Sequence, residues 1–155
     1  MIVVSSCLAG IACRYNGSHH LVSKIENLVR EKKAVLVCPE MLSGFSTPRE
    51  PAEIVGGSGS DVLDGVATVL TKSGEDVTNR YIIGAQKALE VAKREQAACV
   101  VLKENSPSCG SSMIHDGSFT DIRKAGEGVT AALLRRNGIT VLSDVEFIKM
   151  VSSIA

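Results

Sequence analysis

The chain has 155 residues, with 17 basic and 17 acidic side chains that give a formal net charge of zero at pH 7. A chain of this length can bury its own hydrophobic core, and we expect one domain over residues 1–155. Because the sequence has neither a cluster of basic residues nor an apolar run long enough to cross a bilayer, it argues against duplex nucleic acid and membranes as partners.

The first elements alternate between short apolar runs and an amphipathic segment. Ile2 to Val4 predicts a buried strand, and Leu21 to Lys33 has apolar residues at helical spacing, which predicts a crossover helix. Ala34 to Val37 then predicts a parallel neighbour of the first strand. Residues 44–59 are rich in Gly, Pro and Ser, and we expect a long ordered loop there.

The middle of the chain predicts a small hairpin, a long helix and a third core strand. Val62 to Leu63 and Val66 to Thr71 flank an Asp-Gly turn, which favours a β-hairpin. Apolar residues at helical spacing predict a second amphipathic helix from Asp76 or Thr78 to about Gln96. Ala98 to Lys103 is typical of a buried strand.

The last elements repeat the alternation of helix and strand. Glu127 to Asn137 predicts a helix that ends at Gly138, and Ile139 to Leu142 predicts a fourth core strand. A final helix is expected to follow, capped by Ser143 or Asp144 and continuing through Val151. The sequence therefore predicts a Rossmann-like α/β fold, with a mostly parallel sheet, helices on both faces and a small β-hairpin insertion.

Three of the five cysteines follow the predicted strands. Cys7 comes after the first strand, Cys38 after the second and Cys109 after the third. The loops that leave the carboxyl ends of neighbouring parallel strands share one edge of a sheet, where ligands bind. The N-terminus lacks the basic start of a secretion signal, so we expect a cytoplasmic protein whose thiols stay reduced. A thiolate metal site on Cys7, Cys38 and Cys109 is the leading hypothesis.

Other residues near these positions have less specific patterns. Cys99 lies within an apolar strand and predicts core packing, whereas Cys13 is compatible with metal binding or with burial. Glu40 follows Cys38 closely, and a carboxylate beside a metal can act as a general acid or base. Ser106 belongs to a loop of small residues that can wind closely around a ligand.

The residues alone leave two kinds of metal centre open. One is a zinc site that also binds water, and the other is an iron-sulfur cluster in which the protein does not ligate one iron. Paired C-x-x-C motifs are absent and this edge has no histidine, while cubane clusters accept widely separated cysteines. The spacing favours the cluster slightly.

A set of motifs that covers essentially the whole chain resembles a known family. The motifs are Ser6-Cys7-Leu8, Cys13-Arg14-Tyr15-Asn16-Gly17, Cys38-Pro39-Glu40, Pro48-Arg49, Pro51-Ala52-Glu53-Ile54, Asp76-Val77-Thr78, Lys103 to Gly110 and Asp116-Gly117-Ser118-Phe119. Together they resemble the thiouracil/thiouridine desulfurase family, formerly a domain of unknown function. The chain departs from that family at Ser43, where many relatives have glycine, and lacks the helical domain fused to some members.

The resemblance implies a cofactor, a reaction and the residues that serve them. A [4Fe-4S] cluster would be held by Cys7, Cys38 and Cys109, with one iron not ligated by protein, and Glu40 and Ser106 would be catalytic. The implied reaction is the non-redox desulfuration of a small thiolated pyrimidine, which releases sulfide and the oxo-pyrimidine. The alternatives are an iron-sulfur or zinc module that senses or carries sulfur without turnover, and a metal-free domain.

Overall fold

The computed structural model describes residues 1–5, 23–42, 44, 50–103 and 106–147, and at residues 23–26, 40 and 41 only the backbone. The elements within these ranges are β1 (Ile2–Ser5), α1 (Ser23–Arg30), β2 (Ala34–Val37), α2 (Pro39–Leu42), β3 (Ala52–Val55), α3 (Gly59–Leu63), β4 (Thr68–Thr71), α4 (Thr78–Arg94), β5 (Cys99–Leu102), β6 (Met113–His115), β7 (Arg123–Ala125), α5 (Val129–Arg136) and β8 (Val141–Ser143). Residues 144–147 are helical as well. None of the helices in these ranges is long and apolar enough to span a membrane.

The four predicted core strands form one parallel sheet in the order β2-β1-β5-β8. This confirms the predicted α/β fold. The register pairs Ser5 with Val37 and Leu102 with Ser143, so the carboxyl ends of the four strands reach the same level. After β2 the chain returns to the other side of β1, and the order of the strands therefore reverses between β1 and β5. Ligands bind at such a reversal, outside the carboxyl ends of the strands.

Helices cover both faces of the sheet, as the sequence predicts. On one face α4 and α5 pack through small side chains such as Ala88 and Ala131 onto Val3, Val100 and Leu102. The other face has a second cluster, which contains Val4, Val101, Leu142, Leu28 and Val29 of α1, and Phe147. Most of these strand residues are shielded from water, and burial of their apolar surface stabilises the sheet.

Two predictions for the segment before α4 are wrong. Residues 44–59 are not only a loop, because Ala52–Val55 forms β3. Val62 and Leu63 belong to α3 rather than to a strand, so they are not one arm of a hairpin. The small antiparallel pair does exist, but Thr68–Thr71 pairs with β3 instead.

A second antiparallel pair, β6 with β7, has no counterpart among the predicted elements. Its strands have three residues each, too few to show an alternating apolar pattern. The predicted helices near Thr78 and Val129 are confirmed, and α5 ends at Arg136, with Asn137 as its C-cap before the left-handed Gly138. The final predicted helix begins after Ser143, whose hydroxyl accepts the Glu146 N–H at 3.0 Å, and its continuation to Val151 lies outside the described residues.

Candidate metal centre at the carboxyl edge of the sheet

Two of the predicted cysteine ligands, Cys38 and Cys109, follow strands at the carboxyl edge of the parallel sheet. Cys38 follows the last residue of β2 directly, and Cys109 lies in the loop that leaves β5. Cys7, two positions beyond the end of β1, and Cys13 lie outside the described residues. The described cysteines Cys38, Cys99 and Cys109 are thiols rather than disulfides. Two of the three predicted thiol ligands therefore follow neighbours of β1 in the sheet.

The segment that carries Cys38 is held by a short helix and a lysine. Pro39 begins α2, where a proline costs no hydrogen bond, and the Leu42 N–H donates to the Cys38 carbonyl at 2.9 Å. From α4, the Lys87 ammonium donates to the Leu42 carbonyl at 3.0 Å. The backbone of Glu40 lies in α2, but its side chain is outside the described part of the chain. The site thus places Glu40 two residues beyond Cys38 on a turn anchored to α4.

The turn that carries Cys109 is capped by Ser106. Its hydroxyl oxygen accepts the N–H groups of Ser108 at 3.0 Å and Cys109 at 3.2 Å, and its carbonyl accepts the Gly110 N–H at 2.9 Å. Pro107 follows the capping serine, in the position that proline favours at the start of a helical turn. The sequence Ser-Pro-Ser-Cys therefore specifies one capped turn.

The other side of the same turn is fixed by the first amides of α5. The N–H groups of Gly128, Val129 and Thr130 donate to carbonyls of the Cys109 turn at 2.8 to 2.9 Å. These carbonyls belong to Gly110, Pro107 and Ser108 in that order. The first amides of a helix have no partner within the helix, so the turn supplies the acceptors that α5 requires.

Ser108 and Thr130 add a side-chain link between the turn and α5. Their hydroxyl oxygens are 2.7 Å apart, and the two residues are 1% and 0% exposed. A buried hydroxyl gives up its hydrogen bonds to water on folding, and without a protein partner that desolvation cost is not offset. This pair therefore fixes Ser108, and with it the adjacent Cys109, against the first turn of α5.

Thr130→Val is expected to lower the free energy of unfolding by about 1–3 kcal/mol, because the isosteric side chain leaves the buried Ser108 hydroxyl without its partner. Thr130→Ser keeps a hydroxyl and is the matched control. Urea unfolding of the two variants measures the difference. Equal stability of Thr130→Val and wild type would show that the pair contributes nothing.

Cys38 and Cys109 belong to clusters on opposite faces of the sheet. Cys38 packs beside Val4 and Val101, whereas Cys109 is 5% exposed and packs with the residues under α4 and α5. Among the described residues no three Cys, His, Asp or Glu side chains form a metal-binding group. A ligand bound by both thiols must therefore lie beyond the strand ends, where the two faces meet.

The same edge contains an ion pair that the sequence analysis did not identify. The Lys103 ammonium lies 3.2 Å from Asp144 Oδ2, with the two side chains only 18% and 10% exposed. Lys103 and Asp144 directly follow β5 and β8, which are neighbours in the sheet. A buried pair of this kind fixes the relative positions of the two strand ends but leaves each charge dependent on its partner.

Cys99 is at the opposite end of β5 from the candidate centre. It pairs in register with Ile2 and packs against the cluster on the α1 face, which supports its predicted role in the core. Burial raises the pKa of the Cys99 thiol above its usual value. The neutral thiol is therefore favoured, as in a packing residue rather than a reactive one.

Comparison with known proteins gives three results. The sequence profile of the 2-thiouracil desulfurase family matches residues 2–146. YbbK of Bacillus subtilis (strain 168), a protein described as uncharacterized, is 61% identical over 146 residues, which span 94% of this chain and 97% of YbbK. The solved structure of the [4Fe-4S]-dependent thiouracil desulfidase TudS superposes with a TM-score of 0.84 at 39% identity, covering 99% of this chain and 96% of TudS.

Proposed function

The chain belongs to the 2-thiouracil desulfurase family, and from this premise we propose that it removes sulfur from a thiolated pyrimidine of the thiouracil or thiouridine type. The observation that carries the proposal is the likeness to TudS, which is named as a [4Fe-4S]-dependent thiouracil desulfidase and matches nearly the full chain. The reaction replaces sulfur by the oxygen of water, so sulfide and the oxo-pyrimidine leave without net electron transfer.

The proposed cofactor is a [4Fe-4S] cluster held by Cys7, Cys38 and Cys109, with one iron not ligated by protein. The described donor set fits, because Cys38 and Cys109 are thiols at the carboxyl edge of one sheet and thiolates are the usual cluster ligands. When bound, such a cluster would supply a Lewis acid that polarises the carbon–sulfur bond of the substrate. The protein contributes the positions of the thiols, one beside α2, which Lys87 of α4 anchors, and one on the turn docked against α5.

Glu40 and Ser106 are proposed as the residues that handle protons and hydrogen bonds during the reaction. Glu40 follows Cys38 on α2, and Ser106 caps the turn of Cys109, so each is tied to the segment of a proposed ligand. As a base, Glu40 would take a proton from the water that attacks the ring carbon. As an acid, it would return that proton to the departing sulfur or the ring.

Anaerobically purified protein tests this proposal directly. We expect iron and acid-labile sulfide in a ratio near one, a broad absorption of a cubane cluster, and release of sulfide from thiouracil or thiouridine. A cluster-containing protein that releases no sulfide from either compound would instead indicate a sensing or sulfur-carrying module. A colourless protein without iron would contradict the proposed cofactor.

Glu40→Gln is expected to reduce kcat by about 10²–10⁴-fold, the range for loss of a general acid or base. Its iron content is expected to equal that of wild type, because the amide replaces a group that is not a proposed ligand. Comparison of sulfide release per cluster in the two proteins measures the effect. Normal turnover in Glu40→Gln would remove the proton role from this residue.

A further inference from the structure

We propose that Gly59, the first residue of α3, is a positioning residue for Cys109, an inference that rests on the proposed role of that thiol as a cluster ligand. Gly59 acts through the peptide group at the start of α5, which it contacts and which in turn holds the Cys109 turn. The short helix α3 is then part of the support of the metal centre, although it lies about fifty residues earlier in the chain.

The peptide group between Gly128 and Val129 has both of its polar atoms in hydrogen bonds. Its carbonyl, on Gly128, accepts the Ala132 N–H at 3.0 Å, a helical bond of α5. Its N–H, on Val129, donates at 2.8 Å to the carbonyl of Pro107, two residues before Cys109. Because a peptide group is planar and rigid, a shift of the group changes both hydrogen bonds. The position of this group therefore fixes the Cys109 turn relative to α5.

Gly59 packs directly against this peptide group. Its N–H donates to the Glu127 carbonyl at 2.7 Å. A Cβ on Gly59 would lie 2.2 Å from the oxygen and 2.3 Å from the carbonyl carbon of Gly128, and 2.7 Å from the Val129 nitrogen. Non-bonded heavy atoms prefer separations of about 3.5–4.0 Å, so a side chain has no room there. Space rather than helix formation requires the glycine, since alanine is the better helix former.

The helix α3 is held against α5 and cannot simply move away from such a contact. Nη2 of Arg136, in the last turn of α5, contacts the Ser60 carbonyl at 3.1 Å, the Ser60 hydroxyl at 2.6 Å and the Asp64 carboxylate at 2.9 Å. Val62 is 1% exposed and belongs to the same buried cluster as Val129. A side chain added at the start of α3 would therefore displace the first peptide group of α5.

Gly59→Ala and Gly57→Ala are the matched pair that tests this proposal. Each adds one methyl group at the start of α3. The Cβ on Gly57 would lie 2.3 Å from Oδ2 of Asp61, a side-chain atom that accepts the Ser58 N–H at 2.9 Å. Gly57→Ala thus disturbs the cap of α3 without pressing on α5.

The first measurement is amide hydrogen exchange in the peptides that contain residues 107–110 and 128–130, which does not require a bound cluster. We expect about tenfold faster exchange in both peptides of Gly59→Ala, because the hydrogen bond from Val129 to Pro107 is strained. Gly57→Ala is expected to exchange there as wild type does. Wild-type exchange of both peptides in a folded Gly59→Ala would overturn the positioning role.

The second measurement is the iron content of anaerobically purified protein, with the EPR spectrum of the reduced cluster and urea unfolding of the same preparations. We expect Gly59→Ala to lose most of its iron, and Gly57→Ala to keep its iron and the wild-type spectrum. Equal iron and identical spectra in the two variants would contradict the proposal. If wild-type protein binds no iron, the proposed cofactor is wrong, whereas the exchange measurement still decides whether Gly59 fixes the Cys109 turn.

Arg136→Gln provides the test if Gly59→Ala does not fold. It removes an exposed guanidinium that holds α3 against α5, and Arg94→Gln removes an exposed guanidinium at the end of α4 as the control. We expect about threefold faster exchange at residues 107–110 in Arg136→Gln and wild-type exchange in Arg94→Gln. In that case, equal exchange at residues 107–110 in the two arginine variants would overturn the proposal.

Discussion

Cys109→Ala is expected to abolish sulfide release and to reduce bound iron to a small fraction of the wild-type content. A cubane cluster with three protein thiolates loses a third of its protein ligands in this variant, and alanine supplies no replacement. Cys38→Ala is expected to have the same effect, because Cys38 directly follows β2, the neighbour of β1, at the same edge of the sheet. Iron and labile sulfide determined after anaerobic purification, together with the assay, measure both losses.

Cys99→Ala is the matched control for these two variants. Cys99 begins the strand that ends at Leu102, and three residues of a strand place it about 10 Å from the carboxyl edge. We expect full iron content and activity, with a loss of about 1 kcal/mol in the free energy of unfolding from poorer packing. If Cys99→Ala loses iron as Cys109→Ala does, the loss reports general instability rather than a missing ligand.

The sequence predicted the parallel sheet because each core strand has its own local signal. Ile2–Ser5, Ala34–Val37, Cys99–Leu102 and Val141–Ser143 contain short apolar runs next to helical segments, and burial on both faces of the sheet requires such runs. The ends of the predicted strands also led to the prediction that Cys7, Cys38 and Cys109 share one edge, and Cys38 and Cys109 do follow β2 and β5. Prediction succeeded where the spacing of apolar residues alone determines the element.

The segment before α4 could not be predicted from local spacing. β3 lies between Pro51 and two glycines, and its stability comes from pairing with β4. Its buried Glu53 accepts the N–H groups of Gly117 and Phe119, more than 60 residues later in the chain. α3 did have a local signal, because the Asp61 carboxylate accepts the Ser58 N–H at 2.9 Å and such a residue pair marks a helix start.

The hydrogen bonds that hold the candidate site are also of two kinds, some local in sequence and some between distant parts of the chain. The Ser106 cap is local, since a serine followed by proline at the start of a turn is readable from the sequence. The contact between Ser108 and Thr130 joins residues 22 positions apart and depends on how α5 docks against the turn. No spacing rule identifies Thr130 or Gly128 as neighbours of Cys109. The tertiary structure was needed to find them.

Gly128→Ala is expected to displace the Cys109 turn and to lose most of the bound iron and the activity. The backbone of Gly128 is extended, with φ −76° and ψ 172°, so alanine is compatible with its conformation. The obstacle is space, because a Cβ there would lie 2.5 Å from the carbonyl carbon and oxygen of Ser108 and 2.7 Å from the Pro107 oxygen. Those atoms are main chain and accept the first amides of α5, so they cannot move away without breaking hydrogen bonds.

Overpacking of this kind costs about 1–3 kcal/mol, and the control variant must lose a similar amount of stability elsewhere. Gly65→Ala meets that requirement, because φ +78° strains an alanine by about 1–2 kcal/mol while its Cβ would meet nothing within 4 Å. We expect Gly65→Ala to keep its iron and Gly128→Ala to lose it at comparable stability, measured by urea unfolding and iron content of the same preparations. Equal iron retention in both variants would mean that contact between α5 and the turn does not determine the position of Cys109.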